Sequence, residues 1–278
     1  MSRTLFTALR LSLLFVRIAP GFQDNSPDAG WKDLILQGTY ADIDQKNHIK
    51  AEQIFQKALH EANRFGQSDV RVGATLNKLG LVYHEEKRLP DAESAFRRSL
   101  PIFQATYGEE SVDVANVNYD IGWVLMDMGK HAEALPFLEK SRSGFERLFG
   151  ANSVKIASVS CMIGDTERAL RHWKEAEEPL KLCAQIREAN GGIFSADLGD
   201  AVNSLADVFR KQGKFALADP EYKLAEKIRE RTLGIMNPAL ADTLESHAAL
   251  LKEMGRDQDA EKDAKLAAAI RRSLKKSQ

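Results

Sequence analysis

An all-α array of about six helical hairpins is the fold class this chain predicts, and three observations predict it. Glycines recur every 42 residues, at Gly66, Gly108, Gly150, Gly192 and Gly234, a period in the range that marks stacked repeat architectures. The segment after each glycine carries two separate helical periodicities. Small residues return at the same interval, as Gly80, Gly122, Gly164, Ala206 and Ala248, and as Ala92, Ala134, Ala176, Ala218 and Ala260.

Residues 1–23 differ in kind from the rest of the chain. They hold no acid, carry Arg3, Arg10 and Arg17, and contain the apolar run from Leu11 to Val16. Arg17 cuts that run shorter than a secretory signal requires, while arginines every seven residues would line one face of an amphipathic helix. A secretory signal, an organellar or membrane-surface helix, and a disordered or wrongly assigned start all remain open. The run is too short to span a bilayer. Residues 24–30, with Asp24, Pro27, Asp28 and Gly30, read as a linker.

The array then occupies 31–278, in units of about 31–66, 67–108, 109–150, 151–192, 193–234 and 235–278. The first helix of a unit is exemplified by Val72, Leu76, Leu79 and Tyr83, spaced four, three and four, which is one face of an α-helix. The second runs from Leu89 through Ala92, Phe96, Leu100 and Phe103, with Pro90 where a missing N–H costs nothing. The recurring small residues fall where the two helices touch. A large side chain at Gly122 would force them apart at about 1–3 kcal/mol. The unit glycines are expected to close the second helix in the αL conformation. Leu89, His131, Trp173, Phe215 and Asp257 open the second helices, with the aromatic members at the elbow. Pro136 and Pro220 fall early in theirs, where a bend is cheapest.

Two departures stand out. Ala51 is one residue out of step with Ala92, which a one-residue loop deletion before Gly66 explains. Glu167 takes the place of Tyr83 and Phe209, so it either swings to solvent, the favoured outcome, or marks a local break.

The Leu79, Gly80, Tyr83, Ala92, Phe96 pattern resembles the tetratricopeptide repeat, and the 42-residue period resembles its longer kinesin-light-chain variety. The likeness covers roughly 31–278 and is clearest at 74–83 and 203–215. It implies a right-handed α-α superhelix that binds an extended partner on its concave face, the inner face of the first helices. Residues three to five positions from the small-residue sites would line that face. Candidates for partner binding are Asn77, Asn116, Tyr119, Trp123, Arg168, Asn203 and Arg210. Asparagine amides can pair with any peptide backbone, and the arginines favour a carboxylate. Tyr119 and Trp123 are the apolar anchors, unless Trp123 instead packs on the neighbouring first helix. The family's pair of consecutive asparagines is half kept, since Lys78 and Ser204 follow Asn77 and Asn203.

Composition narrows the function. With 44% hydrophobic and 28% charged residues, the 278-residue chain is an ordinary globular one. Its formal net charge of −1, from 39 basic and 40 acidic residues, offers no electrostatic footprint for nucleic acid. The six histidines form no HExxH pattern, and Gly129-Lys130 and Gly213-Lys214 lack the glycine and strand of a phosphate loop. No catalytic, cofactor, metal or small-molecule site is therefore expected. The two cysteines, Cys161 and Cys183, have no zinc-type spacing. Cys161 is expected on the groove and Cys183 in the core, without a bond between them. The expected function is a non-catalytic interaction module for a protein or peptide. The alternative is a self-associating scaffold that stacks through Ala264, Leu266, Ala267, Ala268 and Ile270 of the last unit. Membrane contact is expected only if residues 1–23 are retained. The chain is secreted or periplasmic if they act as a signal, and cytoplasmic otherwise.

Overall fold

The computed structural model describes residues 26–192 and 194–276, and helices are the regular structure throughout. The segment 1–23 lies outside the described residues. The chain divides into two compact units between Gly144 and Phe145. The first holds α1 (Ala29–Ile43), α2 (His48–Asn63), α3 (Val70–Glu85), α4 (Leu89–Tyr107), α5 (Val112–Asp127) and the start of α6 (His131–Phe149). The second holds the end of α6, then α7 (Val154–Ala169), α8 (Trp173–Gly191), α9 (Ala196–Lys211), α10 (Phe215–Leu233), α11 (Pro238–Glu253) and α12 (Asp257–Lys276). No described helix is long and apolar enough to cross a membrane.

From α3 onward, odd-numbered helices begin on side-chain caps that keep the 42-residue period. Ser111, Ser153 and Ser195 accept the backbone N–H three residues on, from Val114, Ile156 and Leu198, while Asp69 and Asn237 accept from Arg71 and Ala239. Each cap satisfies an N–H that the helix itself cannot. The preceding glycine makes the cap reachable. Gly108, Gly192 and Gly234 have φ of 82°, 69° and 80° with ψ of 161°, 173° and 165°. The expected αL closure is corrected here: φ is positive but ψ is extended, a region that glycine alone occupies readily. From this glycine the chain reaches the next cap within three residues.

Hairpins close where the small residues predicted. A Cβ on Gly80 would sit 2.6 Å from the Phe96 ring, and one on Gly122 or Gly164 would sit 2.5 Å from Leu138 or Leu180. Within the first unit, Trp31, Ala58, Ala62, Val72 and Leu76 form one core cluster, and Ala41, Ala51, Phe55, Leu79 and Val82 another. The buried Trp31 indole donates to Thr75 Oγ1 at 2.9 Å. Within the second, Leu180, Leu205, Phe209, Tyr222 and Leu250 join α8 to α11 through one cluster, with Trp173 and Phe215 packed on it from the elbows.

The register shift at Ala51 has two parts. The α1–α2 elbow has four residues, 44–47, where the α3–α4 elbow has three, 86–88, and the extra residue is given back before Gly66. Glu167 neither breaks α7 nor swings free; it is held by His172, whose Nδ1 lies 2.8 Å from Glu167 Oε2.

One further expectation is overturned. Cys161 on α7 and Cys183 on α8 form a disulfide, with Cα atoms 5.3 Å apart. Both lie on the contact between the helices of one hairpin, Cys161 one helical turn before Gly164, so the groove-versus-core split assumed too wide a separation. Ala267 and Ile270 are buried against Leu240, Ala241 and Leu244, leaving Ala264, Leu266 and Ala268 exposed on α12.

Candidate partner-binding face

Within each unit, polar side chains bridge successive odd-numbered helices at a regular offset. In the first unit, Asn77 Nδ2 of α3 donates to Asp120 Oδ2 of α5 at 3.1 Å, and His84 Nε2 lies 2.7 Å from Asp127 Oδ2. In the second, Arg210 of α9 places Nε and Nη2 at 3.1 and 3.0 Å from Glu253 Oε1 of α11. All three bridges join residues 43 apart, one position beyond the repeat.

Within the first unit, Asn116, Tyr119 and Trp123 follow one another along one side of α5, at intervals of three and four residues. Asn116 and Tyr119 are half-buried. Trp123 is only 8% exposed, and its ring centroid lies 3.7 Å from that of His84 on α3. Of the two expected roles for Trp123, packing on the neighbouring first helix is the one in place. Tyr119 keeps the more accessible ring.

Within the second unit the arginines are paired. Arg168 lies 3.3 Å from both Asp165 Oδ1 and Asp207 Oδ2. Ser204 donates to Asp165 at 2.9 Å, and the Tyr222 hydroxyl donates to Asp207 Oδ1 at 2.5 Å. Burial pushes the Asp165 carboxyl above its usual range, with Arg168 acting in the opposite direction. Burial disfavours the Arg210 charge, but hydrogen bonds led by Glu253 outweigh it and raise its pKa. An incoming carboxylate would therefore compete with acids already present. Asn203 differs: its Oδ1 is buried and has no hydrogen-bond partner.

The seven candidates thus occupy two stretches, Asn77, Asn116, Tyr119 and Trp123 in the first unit and Arg168, Asn203 and Arg210 in the second. Sequence reasoning missed that the acids Asp120, Asp127 and Glu253 pair across this face. The signal was available, since donor and acid stand 43 apart at 77 and 120, 84 and 127, and 210 and 253. It also missed a cleft in the first unit lined by Gln56, Leu59, Leu76, Leu79, Tyr83 and Arg88. The buried His247 lies in a separate cluster with the half-buried Glu226 and Asp263.

A family model described as tetratricopeptide repeat matches residues 36–105, 71–142 and 113–189, which together span more than half of the chain. Among solved structures, BtubC (BKLC) from P. vanneervenii superposes with a TM-score of 0.68 at 21% identity, covering 82% of this chain and 92% of that one. A kinesin light chain of nearly identical TPR-like repeats from Podosopora anserina reaches 0.63 at 16% identity, over 73% and 96%. YrrB, described as a TPR protein with an unusual peptide-binding site, reaches 0.54 at 15% identity, over 78% and 91%. No curated protein matches the chain.

Proposed function

Because this chain belongs to the tetratricopeptide repeat family, we propose that it is a non-catalytic adaptor that binds a partner peptide or helix along the inner face of its first helices. The carrying observation is Asn203, a buried side-chain acceptor on α9 without a donor. Such groups are rare in folded proteins because each costs about 1–3 kcal/mol, and a backbone N–H of an extended ligand would supply what it lacks once the amide turns toward the ligand. Tyr119, rigid and half-buried on α5, would anchor an apolar side chain in the first unit. Arg168 and Arg210 are already matched by acids, so charge selects among ligands rather than driving their capture. Contacts of this kind are near micromolar, about −8 kcal/mol.

The compartment follows the same reasoning. A cystine persists where thiols are oxidised, and Cys161–Cys183 favours the secreted or periplasmic alternative over the cytoplasmic one. Self-association through α12 is the weaker reading, because its apolar edge has lost Ala267 and Ile270 to the core.

The test is affinity capture with the intact chain beside a Tyr119→Ala, Arg168→Ala, Asn203→Ala, Arg210→Ala variant of unchanged helicity. The proposal expects at least one partner to be lost from the variant, with the partner's binding then about tenfold or more weaker in direct titration. Identical captured sets, or capture of the chain by itself alone, would defeat it.

A further inference from the structure

Counting back from His247 in steps of 42 gives Leu205, Ile163, Ile121 and Leu79, every one a buried apolar residue. The last unit alone among these puts an imidazole at that place in the core. Its side chain is 4% exposed and stacks on Tyr222 with ring centroids 5.6 Å apart.

Three carboxylates surround this ring, from helices on either side of α11. Asp219 and Glu226 come from α10, and Asp263 comes from α12. His247 Nε2 lies 2.9 Å from Asp219 Oδ1, and Asp219 is in turn matched by Lys223 at 2.6 Å and Arg256 at 3.3 Å. On the opposite edge, Nδ1 lies 2.7 Å from Glu226 Oε1 and 3.0 Å from Asp263 Oδ2. One nitrogen can carry one hydrogen, so it can serve only one of those two oxygens. Asp263 Oδ2 is buried and makes no hydrogen bond. As a metal ligand, His247 would take the tautomer in which Nε2 donates to Asp219 and Nδ1 keeps its lone pair. In that tautomer the lone pair faces two carboxylate oxygens, and a metal cation can replace the proton that otherwise lies between them.

We propose that His247 Nδ1, Glu226 Oε1 and Asp263 Oδ2 bind one divalent transition-metal ion of the zinc class, which ties α10, α11 and α12 together. The three ligand atoms lie within 4.8 Å of one another. Zinc bonds of about 2.0–2.2 Å hold tetrahedral ligands about 3.3 Å apart, so Glu226 and Asp263 would draw back from Nδ1 by about 0.6 and 0.3 Å from their 2.7 and 3.0 Å here. Asp219 supplies the carboxylate–histidine–metal relay that orients a ligating imidazole. Mixed nitrogen and carboxylate donors suit zinc-class ions better than calcium or magnesium. Glu226 and Asp263 are 22% and 21% exposed, so solvent can complete the coordination shell.

The full-length chain, stripped with chelator and dialysed against Zn2+, should take up about one equivalent per chain, and Co2+ should give the visible absorption of a low-symmetry site. Asp263→Asn and Glu226→Gln keep size and shape and should each weaken uptake by about tenfold or more. His247→Leu restores the residue found at Leu79 and Leu205. It should fold with undiminished helicity and bind no metal there. Absence of stoichiometric uptake by the wild-type chain, or equal uptake by the Asp263→Asn and His247→Leu variants, would overturn the proposal.

Discussion

Lys87 holds φ at 64° and Arg171 at 63°, at positions where three sister elbows carry Gly129, Gly213 and Gly255 at 74°. A Cβ in this region costs about 1–2 kcal/mol, and the elbow enforces the conformation because the chain must reverse between two packed helices. Lys87→Gly is therefore expected to raise stability by about 0.5–1 kcal/mol, the strain relief being partly offset by glycine's entropy in the unfolded chain. Urea unfolding of the single variant checks this, and a loss of stability would show that Lys87 makes a compensating contact. Glu167 shows a similar local rescue, since the acid in place of a core aromatic finds His172 five residues on.

At the scale of one element, the α7–α8 hairpin differs from its sisters by a covalent tie. Ser99, Ser141, Ala225 and Ala267 stand at the places equivalent to Cys183, all small and buried, so the second helix lies close to the first at this level in each unit. In this hairpin the residue opposite is Cys161, and the loop it closes spans 22 residues. Closing a loop of that length restricts the unfolded chain by about 3 kcal/mol. Replacing both cysteines with serine is expected to lower stability by about 2–4 kcal/mol without loss of helicity in the folded state, measured by denaturant unfolding monitored by circular dichroism. An unchanged midpoint under oxidising conditions would show that the bond is not formed in solution.

Across the second unit as a whole, hairpins are held to one another by polar ties as well as by apolar packing. Glu177 of α8 takes Lys181 at 2.5 Å on one oxygen and Lys214, which precedes α10, at 2.6 Å on the other. Burial alone would raise its carboxyl, but hydrogen bonds from Lys181 and Lys214 outweigh that and hold it at about 2, against an ordinary 4.5. A carboxyl depressed on folding stabilises the protein above its unfolded pKa and loses that contribution as pH falls through its folded pKa. Glu177→Gln is thus expected to cost about 1–2 kcal/mol at neutral pH, after allowance for the exposure of the lysines, with the deficit shrinking between pH 4.5 and about 2. Parallel unfolding curves for the two proteins across that range would show that the pair contributes nothing.

The repeat itself was legible from the start. Helix starts at Leu89, His131, Trp173, Phe215 and Asp257, the close contacts at Gly80, Gly122 and Gly164, and the family all follow from period and side-chain size. Those properties depend on neighbours a few residues away and on a spacing that one sequence displays by itself. The candidate face was legible only as positions: Asn77, Arg168 and Arg210 were named, but whether each was free or already bonded depended on the next helix. Tertiary structure alone decided that Trp123 packs on His84, that Cys161 meets Cys183, and that Glu226, His247 and Asp263 converge across three helices. Hydrogen bonds, cystines and ligand sets need atoms brought within a few ångströms from residues far apart in the chain, and sequence order carries no such distance.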